Sequence, residues 1–303
     1  MAVMIGSARI NEFGETSGGK PGDQTGWECA IEPWYLHKYG WVVLRAKSGT
    51  VRQMIALNME NICNNENYGY DQPRDHDGIN AAKPYGYDAS KVKSPTSIDC
   101  ARAVQLCILY AGIKVGDFYT VTEADVIMKT GAFDKLTSPM YCTSSDYLMR
   151  GDILVTPVKG HTVVVLSDGP KVKYGEPYKV WNCAYANVRK GPSTSYAKII
   201  GLQAGDVVDL LGWASNGWGK IRYQDIIGYM SPLYLERFPE ANITGKCWMR
   251  VKAGKDEKPI LVMPKGTVCS LTGKKKTISK TPWYECIYKE AEGWSSGTYV
   301  KPK

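Results

Sequence analysis

The chain has 303 residues, 44% of them hydrophobic and 22% charged, which excludes global disorder and leaves room for two or three domains. No apolar run approaches the roughly 18 residues of a membrane helix. The net charge is +8, and from residue 245 onward there are thirteen Lys/Arg against five Asp/Glu, so the whole excess sits in the C-terminal stretch. A basic terminal module suits a polyanion: nucleic acid, anionic lipid or an anionic cell wall.

Residues 1–6 lack the basic lead and apolar core of a signal peptide, so a cytoplasmic product is expected. Residues 7–30 are polar and Gly-rich and read as an ordered loop. Trp41-Val42-Val43-Leu44 is a short apolar run. Residues 51–63 read as a helix, with Val51, Ile55, Met59 and Ile62 on one face. Residues 64–96 are loop-rich. Residues 98–112 form the clearest helix: positions 100, 103, 104, 107, 108 and 111 make one apolar face, with Thr96 and Ser97 as cap candidates and Gly112 as the stop. A short helix over 123–130 follows. Residues 151–156 and 161–166 then read as two strands joined at Lys159-Gly160. The N-terminal part is therefore expected to be α+β, helix first and strands after.

From about residue 181 short strands alternate closely with turns, the pattern of a small all-β barrel, and the pattern occurs twice. The first copy carries Asn187-Val188-Arg189, Gly217-Trp218-Gly219 and Gly228-Tyr229-Met230. The second carries Met249-Arg250-Val251, Pro282-Trp283-Tyr284 and Gly293-Trp294-Ser295.

Nine cysteines and three histidines restrict the chemistry. No C-x-x-C occurs, which argues against zinc, and no metal or cofactor is expected. Cys100 falls in the first turn of its helix. The helix dipole there favours a thiolate, so this position suits a nucleophile. His161 opens a strand 61 residues downstream and is the candidate base. His37 and His76 sit in polar loops and read as surface residues.

Asp99-Cys100 at a helix start, followed by Gly151-Asp152-Ile153-Leu154 and Gly160-His161-Thr162-Val163-Val164-Val165, resembles the NlpC/P60-type papain-like cysteine hydrolases and the related CHAP amidases and endopeptidases. The resemblance covers Pro95–Leu166. Residues 18–26 look like the opening of phage-type members, and the two C-terminal repeats resemble bacterial SH3 (SH3b) domains. The resemblance implies the layout of a phage endolysin: an α+β papain-like catalytic domain over 1–175 and two small all-β SH3-like barrels over 181–237 and 245–303.

It further implies a peptidoglycan hydrolase of Gram-positive-type walls, acting after release from the cell. The expected bond is the γ-D-glutamyl–diamino acid amide of the stem peptide. The alternatives are an N-acetylmuramoyl-L-alanine amidase and a non-catalytic wall-binding protein. Cys100 would be the nucleophile and His161 the base. Residues 167–180 offer only Asp168 and Glu176 to orient the imidazole, so the 18–26 loop is assigned instead, with Asp23 orienting His161 and Gln24 serving the oxyanion. Asp99 would grip a substrate amine, and Tyr87 (with Tyr85) would line the groove. Tyr196, Trp218, Tyr229, Trp283 and Trp294 would contact the wall. Nucleic acid and membrane are not expected as partners, and a monomer is. Ala101 and Arg102 depart from the Ser that usually follows the nucleophile, which puts specificity in question.

Overall fold

The computed structural model describes residues 2–224 and 226–303. It divides into two compact units, Met1–Lys47 with Val51–Val172, and Lys173–Lys303 with Ser48–Thr50.

In chain order the first unit contains β1 (Met4–Ala8), β2 (Cys29–Pro33), β3 (Val42–Ala46), α1 (Gly49–Cys63), β4 (Tyr68–Tyr70), α2 (Asp77–Ala82), β5 (Thr96–Ile98), α3 (Cys100–Tyr110), α4 (Thr120–Met128), β6 (Phe133–Leu136), α5 (Pro139–Cys142), β7 (Ile153–Val155) and β8 (Thr162–Val165). The unit is α+β, but strands come first: three of them precede α1. Among the described residues, the main sheet has six strands in the order β2-β1-β8-β7-β3-β6, every neighbouring pair antiparallel. The N-terminal β1 thus lies beside the late strand β8, with Ile5 opposite Val165 and Gly6 opposite Val164.

Strand alternation divides the core into two layers. Ala8, Leu44, Ile153, Val155 and Val164 face α1 and α3, packing against Ile55, Met59, Ile62, Ala103, Val104 and Cys107. Ile5, Val43, Leu154, Val163 and Val165 face the other way, onto Val3, Trp41 and Leu148. The entry to β7 is fixed by charge. The buried Asp152 carboxylate accepts from Arg45 at 2.7 and 2.8 Å and from the Met149 N–H at 2.8 Å. Gly151 precedes it at φ +91°, and a Cβ there would stand 2.0 Å from the Arg52 carbonyl oxygen. Only glycine fits that turn.

The cap of α3 is Asp99, whose carboxylate accepts from the Arg102 N–H at 2.7 Å. Thr96 and Ser97 belong instead to β5, which pairs in parallel with β4. Helix α3 therefore begins at Cys100 itself.

The second unit is all-β. Its first half contains β9 (Glu176–Val180), β10 (Tyr185–Arg189), β11 (Lys198–Gln203), β12 (Val207–Trp213), β13 (Gly219–Tyr223), β14 (Ile226–Met230) and β15 (Leu235–Arg237). Its second half contains β16 (Glu240–Ile243), β17 (Cys247–Arg250), β18 (Pro259–Met263), β19 (Val268–Ile278), β20 (Thr281–Tyr288), β21 (Ala291–Ser296) and β22 (Val300–Pro302). Each half forms its own seven-stranded sheet among the described residues. The orders are β11-β10-β14-β13-β12-β9-β15 and β18-β17-β21-β20-β19-β16-β22. Strand for strand these are the same topology, so the sequence repeat is a structural repeat.

Candidate active site

Cys100 and His161 line one open cleft of about 440 Å³, together with Arg9, Ile10, Thr16, Tyr35, His37, Lys38, Tyr39, Tyr70, Gln72 and Gly160. The sheet order explains the meeting. β8 lies next to β1 and packs across α3, so the turn before β8 carries His161 to the first turn of the helix.

Cys100 is only 6% exposed. Burial pushes its thiol up, and the charges of Asp99 and Glu123 add to this. The expectation of a thiolate stabilised by the helix start is therefore reversed, because desolvation outweighs the dipole. Burial also pushes the His161 imidazole down to about 4, with His37 and Arg9 contributing. The pair rests as neutral thiol and neutral imidazole.

His161 Nε2 lies 3.2 Å from the hydroxyl of Ser7 on β1. Ser7 is fully buried and stands where sequence reasoning had put Asp23. Asp23 does something else: its carboxylate accepts from the N–H groups of Thr25, Gly26, Glu28 and Cys29 and pins its own loop. Gln24 is tied to the carbonyls of Pro21 and Gly22. Neither residue lines the cleft; the N-terminal loop reaches it through Thr16. Asp168 accepts from the Arg150 N–H, and Glu176 belongs to the second unit.

His37 is corrected too. It is a cleft residue, ringed by Tyr35, Tyr39 and Trp41 at centroid distances of 5.3 to 6.3 Å. Its Nδ1 accepts from the Tyr39 N–H at 3.1 Å, which leaves the proton of the neutral ring on Nε2. His76 lies outside the cleft lining, between Asp75 at 2.5 Å and Asp117 at 3.1 Å. Those carboxylates raise its pKa, the contact with Asp117 most.

The endolysin-like domain family matches residues 5–172, more than half of the chain. The chain belongs to that family. The bacterial SH3 domain family matches residues 184–236 of this endolysin-like protein. No curated protein sequence matches it. Thirteen chains of solved structures match it, among them two NlpC proteins that resemble it weakly. NlpC2 from Trichomonas vaginalis is 13% identical over 43% of this chain and 49% of that chain, with a TM-score of 0.22. NlpC1 from the same organism is 12% identical over 43% and 46%, with a TM-score of 0.23. The chain spans about half the length of these NlpC proteins, and likeness at that level supports neither fold nor function.

The remaining predicted residues of the endolysin-like domain are structural. Asp99 is buried, and its carboxylate serves the helix cap, not a substrate amine. Tyr87 sits at φ +66° and packs against the core, outside the cleft lining. Arg102, also buried, donates to Gln105 and to the Phe118 carbonyl. It ties the loop before α4 to α3.

In the bacterial SH3 domain Tyr196 is exposed, and Trp218 and Tyr229 are half-buried. The second sheet differs. Trp283 and Trp294 are 6% and 8% exposed, so both indoles are mostly core. One edge of Trp283 lines a groove of about 600 Å³ with Asp256, Glu257, Thr281, Ser296 and Thr298. Exposed aromatics that sequence reasoning passed over are Trp181, Tyr185 and Trp213.

Proposed function

We propose that the chain is a peptidoglycan hydrolase cutting a stem-peptide amide bond of the γ-D-glutamyl–diamino acid type in Gram-positive-type walls. Cys100 is the nucleophile and His161 its base, in a papain-like domain over residues 1–175. Residues 181–237 and 245–303 are two SH3b wall-binding domains, the second assigned by its matching strand order. The observation that carries the reading is the convergence of Cys100 and His161 on one cleft of an endolysin-like domain.

The chemistry follows. Neutral His161 takes the Sγ proton as sulfur attacks the amide carbon. The oxyanion faces the Cys100 N–H, which has no acceptor within its own helix. His161 returns the proton to the leaving amine as the C–N bond breaks. Water, deprotonated by His161, then cleaves the thioester and restores the thiol. Ser7 orients the ring throughout. Mass spectrometry of digested muropeptides tests the reading. A new amino terminus on the diamino acid is expected, a new amino terminus on L-Ala would make the enzyme an amidase, and intact muropeptides would remove the hydrolase assignment.

The pKa shifts set the pH dependence. A base titrating at about 4 is neutral above that value, so kcat/KM on soluble muropeptides should be flat from about pH 5 to 8 and fall near pH 4. An acid limb near 6.5 would mean a solvated imidazole. Ser7→Ala should lower kcat about fivefold, the kinetic equivalent of one lost hydrogen bond of ~1 kcal/mol. His37→Ala should lower kcat/KM measurably, whereas the surface reading of that residue predicts no change.

A further inference from the structure

We infer that Glu123 is a positioning residue for the His161–Cys100 pair, acting as a neutral carboxyl group that locks Thr162 beneath the nucleophile. The inference rests on the assignment of Cys100 and His161 made above. Glu123 lies on the first turn of α4 and is 0% exposed, as is Thr162. Among the described residues no cation is paired with it, and its Oε2 has no hydrogen-bond partner.

Helix α4 grips the turn that carries His161 from both sides. Thr120 Oγ1 accepts from the Gly160 N–H at 3.3 Å, and Glu123 Oε1 lies 2.7 Å from Thr162 Oγ1. These are the residues immediately before and after His161. The strand that Thr162 opens, β8, packs against α3, the helix that begins at Cys100. One side chain on α4 therefore sets the start of the strand that directly follows the base and packs on the helix of the nucleophile.

Hydrogen-bond arithmetic assigns the proton. Thr162 Oγ1 has a single hydrogen and two acceptors in reach, Glu123 Oε1 at 2.7 Å and the Leu154 carbonyl at 3.1 Å. An ionised Glu123 would take that hydrogen, strip the Leu154 contact and leave a buried charge with one bare oxygen. A protonated Glu123 donates to Thr162, which donates to Leu154, and the chain closes in one direction. Burial favours the same form and drives the Glu123 pKa well up, with Asp99 adding to it. Neutrality also suits the nucleophile, because a carboxylate here would oppose the charge that forms on the Cys100 sulfur. The titratable groups that interact with it are Asp99 and Cys100, both from the start of α3.

Glu123→Gln tests this in the full-length chain, since the amide N–H can replace the carboxyl O–H in the same chain of bonds. In the wild type the folded state keeps a proton that the unfolded carboxyl loses above about 4.5. Wild-type stability should therefore fall relative to E123Q as pH rises. Calorimetry from pH 5 to 8 should show the E123Q melting temperature gaining on the wild type by about 3 °C per pH unit. E123Q should keep muropeptide cleavage within about threefold, whereas E123A and T162V should each lose tenfold or more. The double variant E123A/T162V should be no worse than either single change, as for residues acting through one contact. A melting gap that stays constant with pH, or an E123Q as damaged as E123A, overturns the proposal. If E123A does not fold, E123Q and T162V decide it alone. The melting series reads Glu123 whether or not the wall is cut, so its failure is separate from failure of the hydrolase reading.

Discussion

Cys100→Ala is expected to abolish wall lysis, with a fall of at least about 10⁴-fold in turnover of soluble muropeptides, because no other group in the cleft can form the thioester. The fold should survive. Cys100 sits at the first position of α3, alanine is the best helix former, and the loss of one sulfur from a nearly buried site costs on the order of 1 kcal/mol. Circular dichroism should therefore match the wild type and the melting temperature stay within about 4 °C of it while clearing of a wall suspension stops. His161→Ala should lose roughly 10³-fold, the usual worth of a positioned base. Near-normal lysis by folded Cys100→Ala protein would sink the thiol mechanism. The resting thiol is buried and its pKa raised, so iodoacetamide should modify Cys100 slowly at neutral pH. The half-exposed Cys183 should react sooner.

The second large effect concerns targeting. A chain ending at Val172 keeps every cleft residue, because all of them precede residue 162. It should retain cleavage of small soluble muropeptides and lose binding to intact walls by about 10²- to 10⁴-fold, the range by which tethering raises local concentration. The surface that would make the contact includes Tyr185 and Tyr196, 65% and 49% exposed on the bacterial SH3 domain. The second sheet adds the basic excess, although Lys274 and Lys303 are paired with Glu285 and Glu240. If charge governs adsorption, binding should weaken between about 50 and 500 mM salt as the Debye length shrinks. Salt-insensitive binding would assign recognition to the aromatics and hydrogen bonds. Equal lysis of intact cells by the shortened chain would remove the targeting role.

Local pattern carried the reading a long way. The apolar face of residues 100–111 marks a helix whose first residue is the cysteine. The β-branched run after His161 marks a strand, and turn chemistry at Lys159-Gly160 joins it to the strand before. These signals lie within ten or so residues of each other, where backbone propensity and side-chain period suffice. The repeat after residue 181 was legible for the same reason, and the matching strand orders express it.

What the local pattern could not supply is who lies beside whom. β1 is short, one of its two neighbours in the sheet, β8, is more than 150 residues away, and nothing in Met4–Ala8 announces that pairing. Ser7 therefore went unseen as the partner of His161, and Asp23, a loop cap, was put in its place. His37 looked like a surface residue until the fold turned its loop into the cleft wall. Trp283 and Trp294 looked like contact aromatics until the second sheet closed over them. Glu123 carried no sequence signal at all: a glutamate in the first turn of a helix is ordinary, and only burial against Thr162 gives it a role. The residue types and spacings along the chain were enough to single out the proposed nucleophile, the proposed base and the proposed order of the modules. Strand register and burial depend on contacts between distant segments, and they alone decided what orients the imidazole, what raises the thiol and which aromatics reach solvent.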